Sequence, residues 1–301
     1  MTAPIQLTIS LHDGEKIILL TTCPETRTKF SCMGELMCLP PESPENATPD
    51  VELTLPENMP ARRHTIWRSS QTEIAISEEW GHVLIAGWQK ELRNPVLHRY
   101  FLWQMALVCG TMNAILRGVR AVLVHCSVLE TERGAVVLFG ESGMGKSTAS
   151  ARWRAQGGKC VSDDMALLDF SGGDRIYVRR MPTWSACREG KNEWNYPAGE
   201  ELPLIGVLAL GRSETGQDEI VELSPAQYFA QCYRSMFYWN LSYTEKLPDE
   251  RKSMLAERIR HFTEIVTAHY PPRALLTSLE GKDLPALIET YLNTLKTLRG
   301  A

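Results

Sequence analysis

Residues 136–148 read VVLFGESGMGKST, an apolar run followed by the pattern G-x-x-x-x-G-K-S. The apolar run predicts a buried strand, and the residues from Lys146 onward predict a helix. A glycine-rich loop between a strand and a helix turns its backbone N–H groups inward around a phosphate, and the helix N-terminus adds positive dipole charge. We therefore expect nucleotide phosphates to bind along the loop, which consists of Gly140, Glu141, Ser142, Gly143, Met144, Gly145, Lys146, Ser147 and Thr148.

Within this loop, Lys146 is expected to reach the β- and γ-phosphates, and the Ser147 hydroxyl to bind Mg²⁺. The pattern identifies a ligand and not a reaction, because GTPases, transport ATPases and kinases share it. A turn that binds nothing and a loop that has lost its nucleotide are the alternative interpretations.

Two adjacent acids follow the loop at a short distance. Asp163 and Asp164 come 17 and 18 residues after Lys146, at the end of a short predicted strand, Lys159–Ser162. In a parallel sheet, a short strand–helix–strand connection of this kind places both carboxylates at the same edge as the loop. One acid can then hold the metal while the other faces the incoming nucleophile. A helix cap or a simple turn is the alternative interpretation of the pair.

His125 lies on the predicted strand before the loop strand, 21 residues ahead of Lys146. If these two strands are adjacent, its imidazole can approach the γ-phosphate region. A buried core histidine with its hydrogen bonds satisfied is the alternative.

From residue 121 onward, apolar strand runs alternate with helical patterns, which is typical of a mixed or mostly parallel sheet covered by helices. The predicted strands are Ala121–Val128, Ala135–Phe139, Lys159–Ser162 and Leu204–Leu210. Helices are expected from Lys146, from a capping box at Ser224, from Pro248 and around Leu287–Leu295.

The first part of the chain predicts a β-rich module with a hairpin, Ile5–Leu11 and Lys16–Thr22, around Asp13-Gly14. Residues 40–60 hold six prolines, five acids and no base, so we expect an acidic loop without regular structure. Further strands are expected at Val51–Leu55, Glu73–Ser77 and His82–Trp88, with a core that contains Trp67, Trp80 and Trp88. Asn94-Pro95 begins a long helix that extends to Gly118.

The composition excludes several classes of protein. With 32 Lys and Arg against 36 Asp and Glu, the net charge of −4 gives no sign of a nucleic-acid partner. Eight scattered cysteines without a C-x-x-C pair indicate reduced thiols and argue against zinc. The longest apolar stretch, Tyr100–Gly110, is too short to cross a membrane, and no basic leader is seen at the start, so a cytoplasmic location is expected.

Three motifs together resemble the catalytic domain of HPr kinase/phosphorylase, a P-loop kinase of the phosphoenolpyruvate-carboxykinase-like type. They are Val124-His125-Cys126-Ser127, Gly140–Thr148 and Val161-Ser162-Asp163-Asp164, which occur in order at matching separations within residues 120–170. The sequence is most similar to the HPr-kinase-like proteins of bacterial peptide-modification clusters, in particular the kinase-like member of the SynChlorMet cassette. Relatives in lasso-peptide clusters phosphorylate a serine of a precursor peptide.

The resemblance implies an α/β P-loop kinase domain of HPr kinase type, with a mixed sheet and flanking helices, at residues 119–301. A β-rich module at 1–93 and a connecting helix at 94–118 would precede it. It also implies ATP and Mg²⁺ as cofactors and a homo-oligomer, for which the sequence shows no interface signature.

The resemblance also assigns roles to the site residues. Asp164 becomes the general base for a substrate hydroxyl, and Asp163 orients it or assists the metal. Lys146 becomes the phosphate clamp, Ser147 a Mg²⁺ ligand and His125 an active-site partner. The glycine-rich signature that carries a further metal-binding glutamate in HPr kinase is not recognisable here. Glu189 is the candidate at a suitable distance, and a surface loop acid is the alternative; phosphorylase activity and action on the carrier HPr are therefore in doubt.

The leading functional hypothesis is a kinase that phosphorylates a serine or threonine of a peptide or small protein, with the N-terminal module recognising the partner. A nucleotide-gated scaffold that transfers nothing would account for the missing glutamate signature. A kinase of a small hydroxylated metabolite is the third hypothesis.

Overall fold

The computed structural model describes residues 4–44, 48–68, 72–77, 82–86, 95–181, 197–238, 244, 247–278, 281 and 284–299. The chain divides into two compact units. The first comprises Met1–Val122, Trp184–Glu200 and Asn240–Ala256, and the second comprises Leu123–Thr183, Glu201–Trp239 and Glu257–Ala301.

The first unit contains a six-stranded mixed sheet with the order β1-β2-β3-β6-β5-β4. Its strands are β1 (Ile5–Ser10), β2 (Lys16–Thr21), β3 (Val51–Thr54), β4 (Arg63–Arg68), β5 (Glu73–Ser77) and β6 (Val83–Ala86). Strands β1 and β2 pair antiparallel, which confirms the predicted hairpin. Strands β2, β3 and β6 run parallel, and β6, β5 and β4 continue as an antiparallel meander.

Helix α1 (Pro24–Leu36) lies between the parallel strands β2 and β3 and was not predicted. Parallel neighbours need a crossover connection, which is usually a helix. The helix buries Phe30 and Met33 completely, and Pro24 occupies its first turn, where the missing N–H costs nothing. Helix α2 (Pro95–Arg117) matches the predicted long helix closely.

Two expectations overlap in residues 40–60: the predicted strand Val51–Leu55 is confirmed by β3, whereas the expectation of an irregular acidic loop is wrong for this second half. Strand β3 and a 3-10 turn at Pro56–Asn58 lie within it. The parallel pairing of β3 with β2 and β6 supplies the backbone hydrogen bonds of this strand. The side chains of the three predicted core tryptophans lie outside the described residues, and so do residues 87–94.

The second unit contains an eight-stranded mixed sheet with the order β11-β10-β7-β8-β12-β14-β13, in which β9 also pairs with β7. Strands β8, β12 and β14 run parallel, and β7 is antiparallel to both β8 and β9. The strands are β7 (Ala121–Thr131), β8 (Gly134–Phe139), β9 (Lys159–Ser162), β10 (Met165–Asp169), β11 (Tyr177–Arg180), β12 (Glu201–Arg212), β13 (Glu219–Glu222) and β14 (Arg273–Thr277).

Four helices accompany this sheet: α3 (Lys146–Ala155), α4 (Pro225–Phe237), α5 (Asp249–His269) and α6 (Leu284–Arg299). The predicted capping box at the start of α4 is present, since the Ser224 side chain and the Gln227 side chain each bond the other's backbone N–H. All six residues of β8 are buried, as expected for a strand with parallel and antiparallel neighbours inside a covered sheet.

The α/β class with mixed sheets and flanking helices is therefore confirmed. The boundaries at residues 93 and 118 stay a prediction. Among the described residues, none of the helices has the length and apolar character that a bilayer crossing requires.

Candidate functional site

The first part of the glycine-rich loop, residues 140–145, joins the end of β8 to the start of α3. Gly143 and Gly145 have φ angles of 82° and 98°, a left-handed conformation that side chains with a Cβ rarely adopt. At Gly143 an added Cβ would meet nothing within 4 Å, so backbone conformation and not lack of space favours glycine there. The strand, the loop and the helix lie where the sequence predicts them.

Lys146, the first residue of α3, is buried, and its Nζ donates to the carbonyl oxygens of Gly140 (2.7 Å) and Glu141 (2.9 Å). Burial lowers its pKa, although the nearby carboxylates of Asp164 and Glu141 oppose the shift. The ammonium group thus lies inside the curve of the loop, where it can exchange loop carbonyls for phosphate oxygens.

Two arginines from other elements also contact the loop. Arg212, at the end of β12, donates to the Gly143 carbonyl oxygen at 2.9 Å. Arg234, on α4, forms an ion pair with Glu141, with 2.5 Å between Nη1 and Oε1. Because both side chains of that ion pair are exposed, it contributes at most about 1 kcal/mol. The pair shows that the last turns of α4 lie beside the loop.

Strand β7 separates the loop strand from the strand that ends at the two acids. Cys126 on β7 is the register partner of Phe139, the last residue of β8, and its N–H donates to the Asp164 carbonyl oxygen at 3.2 Å. His125, the preceding residue, therefore lies between the beginning of the loop and Asp164. Its Nε2 is 3.6 Å from Asp164 Oδ1.

The His125 ring is buried, and burial together with the charge of Lys146 lowers its pKa to about 3. The imidazole is therefore neutral at pH 7, and its approach to Asp164 is a polar contact between a neutral ring and a carboxylate. On another side, the ring of Tyr238 lies against His125 with 4.1 Å between the ring centroids.

The turn after β9 points the two acids in different directions. Ser162 Oγ accepts the N–H of Met165 (3.1 Å) and donates to the Met165 carbonyl oxygen (2.5 Å), which fixes the turn. Asp163 is buried, and its Oδ1 has no hydrogen-bond partner among the described residues. The Asp164 side chain keeps 24% of its surface exposed. One carboxylate thus faces inward and the other is open to an approaching group.

A magnesium ion is expected from the sequence motif, and the residues present fit it. The buried Oδ1 of Asp163 has no hydrogen-bond partner among the described residues and can act as a metal ligand. Ser147, one residue after Lys146, is exposed and offers a hydroxyl oxygen. Mg²⁺ commonly takes one or two carboxylates from the protein and fills its other positions with phosphate oxygens and water. The described part of the chain contains no cluster of three or more His, Cys, Asp or Glu that could hold a metal. Glu189 lies outside the described residues.

The structure brings Lys146, His125 and Asp164 together at one sheet edge, with Asp163 in the adjacent turn. Their assigned roles stay predictions. The sequence interpretation missed Tyr238 and the contact of Arg234 with the loop, because both come from α4, far along the chain, and no local pattern marks them. Ser162 carried a signal, since a serine just before two acids is typical of a side-chain-stabilised turn.

A cleft of about 830 Å³ in the second unit lies elsewhere, at the opposite end of β8. The turn between β7 and β8, the end of α3 and the beginning of α6 line it, and none of the candidate site residues does.

Comparison with known proteins gives a family. A search of solved structures finds an HPr(Ser) kinase/phosphatase from Coxiella burnetii, with 14% identity over 60% of this chain and 99% of that chain, at a TM-score of 0.29. A TM-score of that size is not evidence of a shared fold. No curated protein matches the chain. The family model described as SynChlorMet cassette protein ScmC matches residues 91–282, which is more than half of the chain and includes every candidate site residue. The chain therefore belongs to the ScmC family of SynChlorMet cassette proteins.

Proposed function

We propose that this protein is an ATP- and Mg²⁺-dependent kinase that transfers a γ-phosphoryl group to a serine or threonine hydroxyl of a peptide or small protein. The acceptor we expect is the ribosomally made precursor peptide of its cassette. One observation carries the proposal: the partly exposed Asp164 carboxylate lies beside neutral His125, at the sheet edge where the glycine-rich loop begins.

The transfer requires little covalent chemistry from the protein, because positioning and charge neutralisation supply most of the catalysis. The acceptor oxygen forms the new bond to the γ-phosphorus while the bond to the β–γ bridging oxygen breaks, and ADP leaves. The proton of the acceptor hydroxyl goes to Asp164. His125 lies beside that carboxylate, and Lys146 neutralises charge on the phosphates.

The metal ion, when bound, neutralises charge on the phosphate oxygens and helps to align them for in-line transfer. The residues expected to hold it are Ser147 and Asp163, with Glu189 as a third candidate. The resemblance of three motifs to HPr kinase supports the same assignment of Lys146, Asp163 and Asp164.

The proposal is tested by intact-mass spectrometry of the cassette's precursor peptide after incubation with the protein and Mg²⁺-ATP. We expect a gain of one phosphate, which fragmentation then locates on a serine or threonine. The Lys146→Ala variant is the control and should give no gain. If the wild-type protein binds ATP but adds no phosphate, a nucleotide-gated scaffold becomes the better account.

A further inference from the structure

Helix α4 places an aromatic side chain at the edge of the candidate site. Tyr238 caps the C-terminal end of α4, and its ring lies 4.1 Å, centroid to centroid, from the buried ring of His125, tilted by 47°. The residue is nevertheless 41% exposed, and it is the only large apolar residue classed as exposed among those that the structure describes. Isolated exposed aromatic residues are ordinary on a protein surface, whereas this one touches a histidine that itself faces Asp164.

Contacts near both ends of α4 define where Tyr238 lies. At the start, the Ser224 capping box sets the first turn, and the buried Tyr228 hydroxyl donates to the Val207 carbonyl oxygen at 3.2 Å. At the other end, Arg234, one turn before Tyr238, pairs with Glu141 of the glycine-rich loop. The fold therefore places Tyr238 beside the loop and near the acid pair.

The surroundings favour one kind of occupant for the exposed part of the ring. The charges near the ring are compensated within the fold, because Arg234 pairs with Glu141 and Lys146 lies near Asp164, so the exposed ring itself decides which side chain binds there. Aromatic side chains bind other aromatic or large apolar groups through burial and stacking.

This inference rests on the proposed kinase function: we infer that Tyr238 lines the acceptor subsite. It receives the large apolar or aromatic side chain that neighbours the acceptor hydroxyl in a peptide substrate. Tyr238 thus acts as a specificity-determining residue through its contact with the substrate. Its other ring contact keeps His125 in place against Asp164.

The test uses two fluorescein-labelled peptides, GGFSFGG and GGGSGGG, whose binding to the whole protein is measured by fluorescence anisotropy. We expect the wild-type protein to bind the phenylalanine peptide about tenfold more tightly than the glycine peptide. In Tyr238→Ala this ratio should fall to about one, and in Tyr238→Phe it should be retained. Tyr233→Ala, which removes the same side chain from the previous turns of α4, is the matched control and should keep the ratio.

A ratio of about one in the wild-type protein, or an unchanged ratio in Tyr238→Ala, would overturn the inference. If Tyr238→Ala fails to fold by circular dichroism, Tyr238→Leu takes its place and should lower the ratio while remaining above one. Phosphate incorporation from Mg²⁺-ATP into the same two peptides is measured separately by mass spectrometry. Incorporation without a difference in binding supports the kinase and contradicts the subsite. A binding difference without incorporation supports peptide binding at Tyr238 and contradicts phosphotransfer to these two peptides.

Discussion

The imidazole Nε2 of His125 lies 3.6 Å from Oδ1 of Asp164, although the two residues come from different parts of the sheet. The contact exists because β7, which carries His125, is inserted between β8 and β9. Since β8 and β9 are both antiparallel to β7, their ends meet at the same edge. This brings the glycine-rich loop and the acid pair to either side of one histidine.

The first prediction concerns the pH dependence of stability. Burial and Lys146 lower the pKa of His125 to about 3, whereas in the unfolded chain it titrates near 6.5. The unfolded state therefore binds the proton more tightly, and the free energy of unfolding should fall as the pH drops from 6.5 toward 3. In His125→Gln this contribution is absent. Urea unfolding at pH 7.0 and 4.5 should show a smaller loss on acidification for the variant. Equal losses in both proteins would contradict a neutral, buried His125.

The second prediction concerns nucleotide binding. The buried Nζ of Lys146 donates to two loop carbonyls, and we predict that it binds phosphate oxygens when the nucleotide is present. Lys146→Ala should raise the Kd for Mg²⁺-ATP by about 10- to 100-fold, since a charge-assisted hydrogen bond contributes about 1.5–3 kcal/mol. Isothermal titration calorimetry measures this change. Lys159→Ala, whose side chain is 81% exposed near Glu130, serves as the matched lysine control. An unchanged Kd in Lys146→Ala would mean that the loop does not bind phosphates.

Much of the second unit could be predicted from the sequence because its signals are local. The apolar run of β8, the glycines of the loop and the capping box at Ser224 each determine their own conformation. The same is true of the hairpin β1–β2, whose alternating pattern continues on both sides of a tight turn.

Features that depend on distant partners could not be predicted. Helix α1 has few apolar positions, and it is needed because β2 and β3 pair in parallel, which no local pattern reveals. Nor could the sequence show that β7 separates β8 from β9. Tyr238 was missed for the same reason, since its significance depends on a ring contact with His125, far away in the chain.

The third prediction concerns the first unit, where Asp50 is fully buried beneath the β2–β3 junction. Its Oδ2 accepts a hydrogen bond from the Ile18 N–H at 2.9 Å. The same carboxylate forms an ion pair with Arg117, with 3.0 Å between Nη2 and Oδ2. Burial raises the pKa of Asp50 even with these partners present. Arg117→Ala leaves a buried carboxylate without its cation and should lower the free energy of unfolding by about 2 kcal/mol.

The control for this experiment is Arg120→Ala, which removes an exposed ion pair with Asp13 and should cost at most about 1 kcal/mol. Urea denaturation measures both variants. Equal costs for the two would show that the charge of Asp50 does not need Arg117.

The central claim is that Asp164 accepts the proton of the acceptor hydroxyl, and Asp164→Asn tests it most directly. The measurement is single-turnover transfer of phosphate from Mg²⁺-ATP to the precursor peptide, together with the Kd for ATP of the same variant. Asp249→Asn, which alters a fully exposed carboxylate, is the matched control. We expect Asp164→Asn to slow transfer by about 10²- to 10⁴-fold, the usual contribution of a general base, with the ATP Kd within about threefold of wild type. Transfer at the wild-type rate in Asp164→Asn would contradict the account.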